Sequence, residues 1–133
     1  MEPRLAKICK GYQQILKEQP FEFAALVVTR VISKPDSHTV CLDLGHKSIA
    51  SENPLPQRVH FLNATGVTPT GHSEEHLVLR VENKEGLAPG DVLYGIPHHI
   101  CPTVALYEEA AVYSDGKVKG FWPILSRKRK INI

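Results

Sequence analysis

No apolar run in this chain approaches the ~20 residues needed to cross a bilayer as a helix; stretches such as FAALVV at 23–28 are far too short. A charged segment followed by an apolar one is missing from the first residues, so no signal peptide is expected. The three cysteines, Cys9, Cys41 and Cys101, are odd in number and far apart. They do not read as a disulfide framework, and a reducing cytoplasm is the expected setting. A net charge of only +2 makes no electrostatic case for nucleic acid or an anionic membrane. The one biased stretch, SRKRKINI at 126–133, reads as a solvated end. Nor is there a glycine-rich phosphate loop, a Gly-x-Ser-x-Gly elbow, or a cysteine with a convincing base and orienter.

What remains is an ordinary globular composition. With 42% apolar and 23% charged residues over 133 positions, the chain is long enough for one domain with a true core. Residues 3–18 have a helical period, with Leu5, Ile8, Tyr12, Ile15 and Leu16 on one face, Pro3 at the start and Pro20 closing the pattern. Beyond Pro20 the texture turns to strands. AALVVTRVIS is β-branched and apolar. HTVCLDLG alternates, placing Val40, Leu42 and Leu44 on one side, and HLVLRVE turns Leu77, Leu79 and Val81 inward. RVHFLN and APGDVLYGIP add two more, and two strand patterns over 103–125 meet at Asp115-Gly116, a hairpin turn pair. The expected fold is mostly β: an antiparallel barrel or sandwich of about seven strands with an N-terminal amphipathic helix.

The segment YGIPHHICPTVALYE at 94–108 raises the chemical question. On a strand, His99 and Cys101 would point the same way, with Ile100 opposite. Imidazole nitrogen and thiolate sulfur are both zinc ligands, but a structural zinc takes four. With no second Cys-x-x-Cys or His-x-x-x-His, a metal here would keep open positions. Spacing alone equally admits a half-buried cysteine beside a polar histidine. His76, at the end of SEEH, reads on pattern as a surface histidine after a turn. Asp43 and Lys47 of DLGHK offer an ion pair or a loop anchor.

Taken in order, FAALVVTRVIS, CLDLGHKSIA, SEEHLVL and APGDVLYGIPHHICPTVALYEEAAVYSDGKVKGFWPILSRKR resemble the C-terminal domain of the D-threonine aldolase and D-serine dehydratase-like family. PHHICPT is similar to that family's Pro-x-His-x-Cys-Pro-Thr motif. The resemblance covers 21–133 as a β domain and leaves 1–20 as a tether from an N-terminal barrel that this chain lacks. It implies a lyase with a (β/α)8 barrel carrying the lysine for pyridoxal phosphate (PLP), and a β domain holding a divalent metal, through His99 and Cys101. An aspartate is more frequent in place of Cys101 in the aldolase branch; the thiolate leans toward the dehydratase-like branch and toward zinc. His76 becomes a candidate either behind the metal ligands or facing the substrate, a D-3-hydroxy amino acid. The resemblance further implies a homodimer when the barrel is present.

A barrel of about 250 residues does not fit in this chain, and Lys47 lies in the β domain, so the chain alone is expected to be inactive. Two other functions compete. An amino-acid racemase of the same architecture would take a tyrosine, Tyr94 or Tyr107, from this domain. A non-catalytic β-barrel module would need neither metal nor PLP.

Overall fold

The computed structural model describes residues 6–7, 22–83, 86–128 and 130–131. Two short strands, β1 (Ala6–Lys7) and β2 (Glu22–Phe23), pair in parallel. The chain is therefore extended at 6–7, where the helical period begins; the rest of the helix expected over 3–18 lies outside the described residues.

A curled, six-stranded antiparallel sheet forms the body, a half-barrel. It is built from β3 (Val27–Asp36), β4 (Thr39–Leu42), β5 (Val59–Phe61), β6 (Val67–His72), β7 (Leu77–Val81) and β8 (Val92–Pro97), in the order β5-β8-β3-β4-β7-β6. The long β3 explains the curl. Val27–Arg30 pairs with β8, while Val31–Asp36 pairs with β4 through two register shifts. Such irregularities bend a strand and increase its twist, so β3 turns from one half of the sheet into the other.

The alternation expected of β4 and β7 is present. Val40, Leu42, Leu44, Leu77, Leu79 and Val81 are all buried, joined in one cluster by Val27, Val31, Ile49, Val59, Phe61 and Leu93. Burying each such side chain contributes about 1.5–3 kcal/mol. Thr29, also buried, donates its hydroxyl to Asp43 Oδ1 at 2.6 Å, and the Arg30 amide donates to the same oxygen at 2.7 Å. Asp43 is thus a loop anchor for β3, and Lys47 pairs elsewhere, with Glu75.

The hairpin also forms as expected. β9 (Glu109–Ser114) and β10 (Lys117–Pro123) make a separate two-stranded ribbon. Asp115 and Gly116 turn it with φ of 51° and 76°, the left-handed pair that fits the twist of a tight hairpin. Among the described residues no helix is long and apolar enough to cross a membrane.

Candidate metal centre

The strand mount expected for His99 and Cys101 is not what forms. β8 ends at Pro97, and a short helix, α1 (Ile100–Val104), follows with His99 as its extended N-cap residue. Pro102 is tolerated in that first turn, where amides have no helical partner. The alternation of a strand, which would aim both side chains to one face, is therefore not the geometry here. Ile100 is buried, while His99 and Cys101 on either side of it are exposed. Imidazole and thiol therefore both reach the outer surface at the head of α1.

A loop from the other half of the chain fixes this segment. Thr103, only 2% exposed, accepts a hydrogen bond from the Ala50 amide at 3.2 Å and donates to the His99 carbonyl at 2.8 Å. Tyr107 donates its hydroxyl to the Ser48 carbonyl at 2.7 Å. At the outer end, His99 Nδ1 lies 2.6 Å from Glu52 Oε1. Burial pulls the Glu52 carboxyl up, but hydrogen bonds from its own backbone amide and from His99, with the nearby Arg58 charge, leave it below the ordinary carboxylate range.

Behind Glu52 the polar contacts continue inward. Asn53 Nδ2 donates to the same Oε1 at 3.1 Å. The Asn53 carbonyl accepts from Arg58 Nε at 2.8 Å, and Arg58 Nη1 lies 2.7 Å from His72 Nδ1. Arginine is always a donor, so His72 Nδ1 accepts. His72 Nε2 therefore carries the proton and donates to the Leu44 carbonyl at 2.9 Å. Burial lowers the His72 pKa, against the pull of that carbonyl. His72 is a neutral, structural histidine, edge-on to the His46 ring at 4.4 Å. The Arg58 carbonyl accepts from the His98 amide at 2.9 Å, returning the network to the PHHIC segment.

His76 lies on the SEEH turn. It is exposed at the end of the turn before β7, where its carbonyl accepts from the Ser73 amide. That turn is zipped to the DLGHK loop, His46 and Lys47 donating their amides to the Ser73 and Glu74 carbonyls. Among the described residues no hydrogen bond or ion pair joins His76 to His99 or Cys101. The two motifs DLGHK and SEEH thus meet each other, and the loop that continues from DLGHK meets PHHICPT.

The donor set suits a soft divalent ion, with one imidazole and one free thiol, both accessible. Among the described residues no three His, Cys, Asp or Glu side chains gather closely enough to enclose an ion, so a metal bound here would keep positions open. Burial pushes the Tyr107 phenol up, and its hydroxyl is committed to Ser48.

Residues 24–113 match the family described as "Putative serine dehydratase domain". The chain belongs to that family. This β domain is 38% identical to D-threonine aldolase of Arthrobacter sp over 109 residues, covering 80% of the chain and 28% of that protein. The crystal structure of D-threonine aldolase from Filomicrobium marinum superposes with a TM-score of 0.71 at 26% identity, covering 80% of this chain and 29% of that one. A metal-free D-threo-3-hydroxyaspartate dehydratase, in a cysteine-to-alanine variant, shares the fold with a TM-score of 0.59 at 22% identity, over 75% of this chain and 31% of that one. The chain spans less than a third of the length of each of these relatives.

Proposed function

We propose that this chain is the metal-binding β domain of a PLP-dependent lyase acting on a D-3-hydroxy amino acid, as an aldolase or a dehydratase. The observation that carries the reading is the paired exposure of His99 and Cys101 around buried Ile100, in a chain of this family. The relatives named as D-threonine aldolase and D-threo-3-hydroxyaspartate dehydratase support the substrate class. That the latter is described in a metal-free form supports a metal.

Zinc fits the donors best, since thiolate favours soft ions over magnesium or calcium. His99 and Cys101 would hold it, and two protein ligands leave room for a substrate hydroxyl. The ion supplies Lewis acidity toward that hydroxyl; PLP, held by a barrel domain that is not in this chain, supplies the electron sink. The domain's own task is to present two ligands on a fixed backbone. Buried Thr103 and the Tyr107–Ser48 hydrogen bond support that rigidity. The lysine for PLP belongs to that barrel, and the chain without it does not turn over.

The test is turnover of D-threonine and of D-3-hydroxyaspartate by this chain reunited with an N-terminal barrel domain of the family. Activity lost on chelation and recovered with zinc, with none from the 133-residue chain alone, is the expected result. Turnover indifferent to chelation, or turnover by the chain alone, would overturn the reading.

A further inference from the structure

We propose that Glu52 is a positioning residue for His99: its carboxylate accepts the Nδ1–H of the ring and so leaves Nε2 as the nitrogen presented to a metal. The metal half of this statement rests on the function proposed above; the proton placement does not. An ionised carboxylate only accepts hydrogen bonds, so at the 2.6 Å separation the shared proton sits on Nδ1 in the neutral ring. Imidazole ligands are oriented in this way by a carboxylate on the far nitrogen in many metal sites.

Glu52 is itself held. Its Oε1 takes a second hydrogen bond from Asn53, whose carbonyl is tied to Arg58, whose guanidinium is tied to His72. On the opposite side, Thr103 bridges the Ala50 amide and the His99 carbonyl, fixing the separation of the two backbones that carry the pair. Both side chains are about half exposed, at 47% each. An exposed pair contributes little to stability. Orientation, rather than folding energy, is therefore what the contact provides.

The experiment is nitrogen-detected imidazole NMR on the metal-free chain, with the ring neutral, for the wild type, Glu52→Ala and Glu52→Gln. The expected result is an Nδ1–H tautomer at His99 in the wild type. Glu52→Ala moves the proton to Nε2, and Glu52→Gln, which keeps an oxygen acceptor, retains it on Nδ1. Backbone amide spectra establish that each variant is folded. Zinc titration of the same samples is expected to show a loss of about 10–100-fold in affinity for Glu52→Ala and a smaller one for Glu52→Gln. An Nε2–H tautomer in the wild type, or a tautomer indifferent to Glu52→Ala, overturns the inference. A tautomer that follows Glu52 with zinc bound by no form upholds the positioning role and overturns the metal reading instead.

Discussion

The hydroxyl of Thr103 donates to the carbonyl of His99 from one turn further along α1, at 2.8 Å, while accepting from the Ala50 amide. One buried oxygen thus couples the candidate metal ligand to the loop that carries Glu52. Thr103→Val keeps the shape and removes the oxygen, leaving the Ala50 amide without its acceptor. A cost of about 1–3 kcal/mol is expected in denaturant unfolding, with Thr103→Ser closer to the wild type. A valine variant as stable as the parent would contradict the coupling.

Gly45 is where the DLGHK loop touches the SEEH turn. A Cβ at this position would lie 2.1 Å from the Glu74 carbonyl oxygen. Because the obstacle is backbone, the turn itself must move. Gly45→Ala is expected to destabilise the chain by about 3 kcal/mol, and its Tm to fall accordingly.

His72 makes stability depend on pH. Its pKa is lowered in the folded state, first by burial and further by the charges of His46 and Arg58. The unfolded chain therefore takes up the proton first as pH falls through about 6.5. Stability is retained above that value and lost below it. Urea midpoints measured from about pH 8 to about pH 5 should fall, and the part of that slope owed to His72 should vanish in His72→Gln.

Core and ribbon should respond oppositely to truncation. Leu79 is fully buried, and Leu79→Ala is expected to cost about 2–5 kcal/mol. Trp122 on the ribbon is 69% exposed, so Trp122→Ala should fall within about 0.5 kcal/mol of the parent. Equilibrium unfolding of the two variants side by side checks both.

The reach of the sequence varied with local pattern. Strands β4 and β7 were legible because every second residue is a large aliphatic, and the hairpin because Asp115-Gly116 suits a left-handed turn. Strand β6 was not, since Pro69 and Gly71 break the pattern; both sit at a register shift on the sheet's edge, where proline is tolerated. The strand assigned to His99 and Cys101 failed because Val104 and Thr103 favour strands by propensity, while the turn after Pro97 and the docking of Thr103 decide for a helix. Ile100 is nevertheless the residue the core claims, and His99 and Cys101 on either side of it are exposed. Glu52, Arg58 and His72 carried no signal. Glu52 meets His99 across 47 positions of sequence, and only the folded sheet brings them together.

His99 and Cys101 together would make the metal site. Its most direct test is zinc calorimetry with metal analysis on this chain, on His99→Ala and on Cys101→Ser. One zinc per chain is expected in the parent and none in either variant. No zinc in the parent, or binding that survives both substitutions, would contradict it.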